Sequence, residues 1–397
     1  MPYRAAVPRS ASTLDPFVRQ ALAAIDDAGR LRITREAQVL PCGRIRREGR
    51  EFLDFSSNDY LGLSLHPLLA ERACDWTQRY GTGSGASRLV TGTGEAVEAL
   101  EARIAAFKGT EAALLFATGW QANASVIPAL LQAMPGAAVC ADRLVHASMH
   151  AGIAAAGARQ HRFRHNDCDH LEQLLADKGR DAPARLILTE SVFSMDGDGP
   201  DLIRLGEIAR RHDAILYVDE AHATGVLGPG GAGLTATVPG TVDIVMGTFG
   251  KALGGFGAYV AGSRALCDYL LNRASGFVFS TALPPAALGA IDAALDLVPD
   301  MAEERAHLAG LAARLREGLH DLGIEHGESI SQIVPVIVGG EADALALAER
   351  LEAAGMLAAA IRPPTVPPGS SRLRIALKAG QSLADVDALV QAIGANR

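Results

Sequence analysis

The chain of 397 residues carries 37 Lys and Arg against 45 Asp and Glu, a formal net charge of −8, and with no polybasic block it reads as a protein with neither nucleic acid nor an anionic membrane as a partner. Hydrophobic residues make up 49 % of it, enough for two domains or one large α/β unit. The five cysteines are scattered without a CxxC pair, the pattern of reduced thiols in a cytoplasmic protein.

Residues 1–14 hold Arg4, Arg9, Ser10 and Ser12 and no acid, and read as a short frayed leader. No apolar run reaches the roughly eighteen residues of a membrane helix. From 15 to 37 apolar and charged positions recur with helical spacing, as at Phe17, Leu22 and Ile25. Arg44 to Phe55 predicts a hairpin that turns at Glu48-Gly49-Arg50. The stretch Phe55-Ser56-Ser57-Asn58-Asp59-Tyr60-Leu61-Gly62-Leu63 is polar and aromatic at once, and a helix is expected after it over 67–80. Glu95 to Phe107 predicts an amphipathic helix, Ala112 to Ala117 a buried strand, and 121–131 a helix opened by Thr118-Gly119-Trp120. Further strands are expected at 137–141, 185–189, 214–218, 242–246 and 257–260, with helices between most of them. Pro284-Pro285 interrupts the chain, and an alanine- and leucine-rich helical stretch runs on to about 322. The tail predicts a strand at 331–338, a helix at 343–354, strands at 357–361 and 372–377 and a helix at 382–395. The organisation expected is an N-terminal segment over 1–60, a large domain over 61–288 and a small α/β domain over 289–397.

Strands alternating with helices imply a mostly parallel sheet covered on both faces, whose ligands sit beyond the carboxyl ends of the strands. Thr118, His146, Ser194, Asp219, His222 and Lys251 all fall just after expected strand ends. Lys251 is the sharpest of them, in Thr248-Phe249-Gly250-Lys251-Ala252-Leu253-Gly254-Gly255 behind the apolar run 242–246. A lysine with so little bulk around it becomes a good nucleophile once it is desolvated.

Other motifs carry less. Gly81-Thr82-Gly83-Ser84-Gly85-Ala86 spells GxGxxA, but an expected helix rather than a strand precedes it, so it reads as a glycine loop. Asp219-Glu220-Ala221-His222 spells a helicase box without the GxxxxGK[ST] loop that a nucleotide motor needs. His161, His165, Cys168 and His170 match no metal template and read as a polar connector into a helix over 171–176. The glycines of 228–233 read as loop.

Asp219, His222 three residues on and Lys251 after the next strand suit pyridoxal phosphate. That cofactor needs a lysine for its aldehyde, a carboxylate at its ring nitrogen, a donor near its phenolic oxygen and amides for its phosphate. Lys251, Asp219 and His222 supply the first three, and Gly119 and Trp120 open a helix whose free N–H groups favour a phosphate. Thr248 adds a hydroxyl, and His146 can lie on the ring or take part in proton transfer.

With the motifs 55–63, Asp142-Arg143-Leu144-Val145-His146-Ala147-Ser148, Val192-Phe193-Ser194-Met195-Asp196-Gly197-Asp198, Asp219–His222, Thr248–Lys251 and Ile361-Arg362-Pro363-Pro364-Thr365-Val366-Pro367, the chain resembles the α-oxoamine synthases. These belong to the aminotransferase-like fold type I pyridoxal-phosphate enzymes, and the likeness covers about 30–395. It implies a large, mostly parallel-sheet domain with a smaller α/β C-terminal domain, and a homodimer. It implies Lys251 as the Schiff-base lysine, with Lys251, His146 and Asp219 carrying the chemistry. Ser194, Asp219, His222 and Thr248 would hold the cofactor, with Gly119 and Trp120 on its phosphate side and His146 on its ring. Ser280 and Thr281 would reach the phosphate from the other subunit. Asn58 and Arg362 would approach the amino acid's carboxylate, with Arg32 and Thr365 also on the substrate side; no metal is implied. Trp120 departs from the phenylalanine more common in the family, and Ala223 from a common glycine. The 361–367 motif, with His165-Asn166-Asp167, points to the branch that condenses L-alanine with a pimeloyl thioester of coenzyme A or acyl-carrier protein, losing CO₂, in biotin synthesis. The 5-aminolevulinate synthase and 2-amino-3-oxobutyrate ligase branches share the cofactor set, and a non-catalytic cofactor-binding regulator is the reading from another class.

Overall fold

The computed structural model describes residues 12–395; the expected leader therefore lies largely outside the described residues. In chain order the strands are β1 (Gln38–Leu40), β2 (Arg44–Arg47), β3 (Arg50–Asp54), β4 (Ala112–Phe116), β5 (Ala138–Asp142), β6 (Gln160–Phe163), β7 (Arg185–Glu190), β8 (Ile215–Asp219), β9 (Ile244–Thr248), β10 (Ala258–Gly262), β11 (Ile333–Gly339), β12 (Met356–Leu357), β13 (Ala359–Ile361) and β14 (Ser371–Ala376).

Seven of them form the central sheet, in the order β4-β10-β9-β8-β7-β5-β6. β10 is antiparallel to both of its neighbours, and the remaining pairs are parallel. The inner strands are aliphatic from end to end because helices cover both faces. The period of two sorts their side chains. Leu114 and Phe116 of β4 face one core with Met246 and Val260, while Ala113 and Leu115 face the other with Val245 and Tyr259. This layering brings the carboxyl ends of β4, β5, β7, β8 and β9 to one edge, where the α/β arrangement places a ligand crevice.

The tail folds as the antiparallel sheet β11-β14-β13 with helices Ala302–Asp321, Glu341–Ala353 and Leu383–Gly394. Ser382 and Asp385 close a capping box at the start of the last helix. The hairpin β2–β3 is completed by β1 and by β12, which pairs with β3 in parallel. N-terminal strands and tail thus share one sheet. Helix Pro285–Leu297 lies on helix Pro67–Tyr80, close enough that a Cβ on Gly289 would come 2.6 Å from the Arg72 carbonyl oxygen.

Three differences from the expected elements have local causes. The helix expected over 15–37 stops at Asp27, because Gly29 adopts φ +65° and the N–H groups of Gly29 and Arg30 bond back to Asp26 and Ile25. β6 was missed because Gln160-His161-Arg162 is polar, as an edge strand can afford to be. Helix Arg264–Arg273, after β10, was not among the named elements, because it carries charged residues at both ends and only Cys267 and Leu270 are buried.

Candidate active site

Lys251 is placed by the turn after β9. The Thr248 hydroxyl donates to the Gly257 carbonyl at 2.9 Å and accepts the Gly250 N–H at 3.2 Å, which ties the turn to β10. The turn then rests on the 55–63 stretch. Gly254 has φ +64°, and any Cβ there would stand 2.4 Å from the backbone of Leu63 and Ser64.

From the lysine a hydrogen-bonded chain runs inward. Lys251 Nζ lies 3.0 Å from His222 Nε2, and His222 Nδ1 lies 2.7 Å from the hydroxyl of the fully buried Tyr60. That hydroxyl also meets Asn58 Oδ1 at 3.1 Å and receives Arg374 Nη2 at 3.3 Å. With Lys251 protonated, one proton assignment satisfies every contact: Tyr60 donates to Asn58, His222 Nδ1 donates to Tyr60, and Nε2 accepts from the lysine. A neutral His222 is required, and burial, followed by the charges of Lys251 and Arg374, holds its pKa well below the ordinary value. Burial likewise brings Lys251 down to about 8, with Asp219 and Glu190 opposing the shift.

Asp219 ends β8 and is buried. Its Oδ1 accepts the Ala221 N–H at 2.9 Å and its Oδ2 accepts Asn123 Nδ2 at 2.9 Å. Asn123 is held in turn by the Tyr217 hydroxyl at 2.6 Å and by Ser148 Oγ at 3.0 Å, and Ser148 Oγ lies 2.7 Å from His146 Nδ1. Directly across the ladder from Asp219 stands Glu190, whose Oε1 has no hydrogen-bond partner among the described residues. Burial first, and the Asp219 charge second, push the Glu190 carboxyl well above the carboxylate range. His146 keeps one side open to solvent, yet the surrounding protein and the Lys251 charge lower its basicity against the pull of Asp219.

Thr118 caps helix Gly119–Ala133 by accepting the Gln121 N–H, and the first-turn N–H groups of Gly119 and Trp120 are of the kind that has no acceptor within its own helix. The Trp120 ring stands edge-on to His146, 6.0 Å between centroids. Gln121 Nε2 donates to Ser280 Oγ at 2.7 Å, and Thr281, exposed, bridges to Ser87. Ser194 offers its carbonyl to Arg374 Nε.

The remaining expected residues make contacts of their own. Arg362 donates to the Gly29 carbonyl at 2.8 Å, Thr365 turns back to the Arg362 carbonyl at 3.1 Å, and Arg32 is exposed in the irregular segment after the first helix. Tyr60, Asn123, Glu190 and Arg374 are the members that sequence reasoning left without a role. Asn123 is a polar residue on an otherwise apolar helix face, and Arg374 alternates with Leu373 and Ile375 on a buried strand. Those interruptions were the available signal. Glu220 of the helicase-like box pairs instead with Lys108 at 2.6 Å in the core.

Only four lysines occur in the sequence. Lys108 is committed to Glu220, Lys378 to Asp54 at 3.0 Å, and Lys178 lies on the surface beside Asp177. Lys251 alone faces a histidine rather than a carboxylate. A nucleophilic amine, a buried carboxylate one strand away and unspent helix N–H groups form the donor set that an aldehyde-bearing aromatic phosphate requires.

Comparison with known proteins agrees. Residues 50–393 match aminotransferase class I and II. The chain is 59 % identical over 389 residues to an 8-amino-7-oxononanoate synthase of Gluconacetobacter diazotrophicus, covering 96 % of each. It is 50 % identical over 349 residues to the enzyme of that name from Anaeromyxobacter dehalogenans, covering 87 % of each. Among solved structures it resembles a serine palmitoyltransferase of Sphingomonas wittichii with a TM-score of 0.88 at 30 % identity, covering 97 % of this chain and 98 % of that one. It also resembles the 8-amino-7-oxononanoate synthase of Francisella tularensis with a TM-score of 0.76 at 26 % identity, covering 87 % and 97 %. The chain belongs to the aminotransferase class I and II family.

Proposed function

We propose that this chain binds pyridoxal phosphate at Lys251 and condenses L-alanine with a pimeloyl thioester, releasing CO₂ and the free thiol and forming 8-amino-7-oxononanoate. The observation that carries the reading is Lys251 facing a neutral His222, one strand from the buried Asp219. The bound cofactor supplies an aldehyde for an amine and a protonated ring that withdraws electrons from Cα. Asp219, oriented by Asn123, would keep the ring nitrogen protonated. Lys251, with its pKa brought down to about 8, would hold the cofactor through its amine and, once released by the amine of L-alanine, would accept the Cα proton. His146 would cover the ring, Gly119 and Trp120 would offer their N–H groups to the phosphate, and Ser194, His222 and Thr248 would complete the cradle.

The fold does not choose the amino acid, since serine palmitoyltransferase shares it. The near-full-length identity to 8-amino-7-oxononanoate synthases favours L-alanine and the pimeloyl chain. Asn58 and Arg362 are the proposed carboxylate partners, with Arg32 and Thr365 beside the acyl donor. Ser280 and Thr281 serve the phosphate of a second copy, in a homodimer. The test is mass detection of 8-amino-7-oxononanoate, with matched CO₂ release, from L-alanine and pimeloyl-coenzyme A. Product from serine and palmitoyl-coenzyme A, with none from this pair, would overturn the substrate assignment.

A further inference from the structure

His165 lies two residues beyond the edge strand β6, with its ring between two carboxylates on neighbouring segments. Its Nδ1 is 3.0 Å from Asp142 Oδ1, at the end of β5, and its Nε2 is 2.9 Å from Asp198 Oδ2, in the loop after β7. Ionised carboxylates only accept hydrogen bonds, so filling both contacts needs a proton on each ring nitrogen. A neutral imidazole can satisfy one of them. Asn166, held at φ +53°, reinforces the bridge: its N–H reaches Asp142 Oδ2 at 2.8 Å and its Nδ2 reaches Asp198 Oδ2 at 3.1 Å. The Phe193 ring closes on the imidazole edge-to-face at 4.4 Å.

Asp142 heads the segment that carries His146, and Asp198 closes the one that carries Ser194, two residues proposed to face the cofactor. Asp142 Oδ1 also accepts the Leu144 N–H at 2.8 Å, setting the turn that delivers His146 four residues on. The Asp198 carbonyl accepts the Phe193 N–H at 2.8 Å, closing the loop that holds Ser194, whose carbonyl in turn anchors Arg374. Resting on the proposed function, we propose that His165 is a doubly protonated positioning residue that pins the His146 turn to the Ser194 loop and so fixes the width of the cofactor cleft.

The charged groups facing the ring are Asp142 from β5 and Asp198 from the loop after β7. On its own loop, Arg164 is paired outward with Asp167, and the tail that packs on Gly197 presents Ser329 and Ser331, which carry no charge. The two hydrogen-bonded carboxylates outweigh burial and raise the His165 pKa to about 9.

The experiment follows imidazole ¹⁵N shifts of the full-length protein from pH 6 to 10, with His165 assigned by its absence in His165→Asn. Alongside it, pyridoxal phosphate is titrated into parent, His165→Asn and Asp198→Asn at pH 7.5. The expected result is a ring protonated on both nitrogens through pH 8, and a cofactor affinity at least ten-fold weaker in both variants. If His165→Asn does not fold, Asp198→Asn, which keeps the shape and removes one charge, carries the affinity test. A ring that titrates near 6.5, or variants that lose melting temperature yet bind pyridoxal phosphate as the parent does, would overturn the proposal. A parent that binds no pyridoxal phosphate would instead refute the proposed function, leaving the ring titration to judge the double protonation.

Discussion

Two regions that the sequence marks as functional are built differently. Around Lys251, strand ends from the core and the 55–63 stretch meet, and the side chains that frame it are tied inside the protein: His222 on Tyr60, Asp219 on Asn123, Thr248 on Gly257. Around Arg362, itself half-buried, a loop with mostly exposed tips meets an exposed segment, and the guanidinium rests on the Gly29 carbonyl. The first region is held by the protein's own hydrogen bonds, and misplacing one of its buried polar groups costs the loss of its hydrogen bond. The second can trade a carbonyl for a carboxylate at little cost, since a charge-assisted, two-pronged contact is the stronger one.

That contrast breaks most visibly at Lys251. Lys251→Ala should lower product formation at least 10³-fold, about 4 kcal/mol of transition-state stabilisation; steady-state assays with both substrates check this, and a loss under ten-fold would detach the lysine from the chemistry. Asn123→Ala comes next. It strips Asp219 Oδ2 of its donor and orphans the Tyr217 hydroxyl, which should cost about 1–3 kcal/mol of stability and slow α-deuterium exchange of L-alanine about 10- to 100-fold. Denaturant unfolding and exchange by NMR measure both, and an unchanged exchange rate would show that Asn123 does not orient the carboxylate.

Arg362→Lys sharpens the other side. Charge is kept and the fork is lost, so L-alanine should bind about ten-fold more weakly while pyridoxal phosphate binds as before. A collapse of cofactor affinity in that variant would mean that the two regions are not independent. The smallest effect concerns pH. Only the neutral amine attacks, so the rate of pyridoxal phosphate capture should rise with pH and level off above about 8, the value to which burial brings Lys251. Arg374→Gln removes a nearby positive charge that also lowers that value, so the midpoint should move upward. Stopped-flow absorbance gives both midpoints, and a downward shift would contradict the electrostatics.

The same contrast explains what the sequence disclosed. Strand ends carrying Asp219, His222 and Lys251 were legible because aliphatic runs mark buried parallel strands, and the residues just beyond them have few places to go. Asn123, Glu190 and Arg374 were not, because their roles depend on which strands and helices become neighbours. Glu190 meets Asp219 only through the β7–β8 register. Arg374 reaches Tyr60 across 314 residues of chain. The early stop of the first helix was missed for another reason: its apolar stripe has helical period but no core to face, since none of its residues is buried, and Gly29 ends it. Arg362 was singled out by its proline-rich loop, whereas its contact with Gly29 depends on that irregular segment.

Stability carries a related signature. His165, with its pKa raised to about 9, adds stability that is fully present below pH about 6.5, its ordinary value, and lost as pH rises through 9.

Borohydride reduction of the protein with pyridoxal phosphate, followed by peptide mapping, tests the central claim most directly. With four lysines in the chain the readout is discrete. The account predicts a single reduced adduct on Lys251, its yield rising with pH up to about 8. An adduct on Lys108, Lys178 or Lys378 in place of Lys251, or no adduct at all, would contradict it.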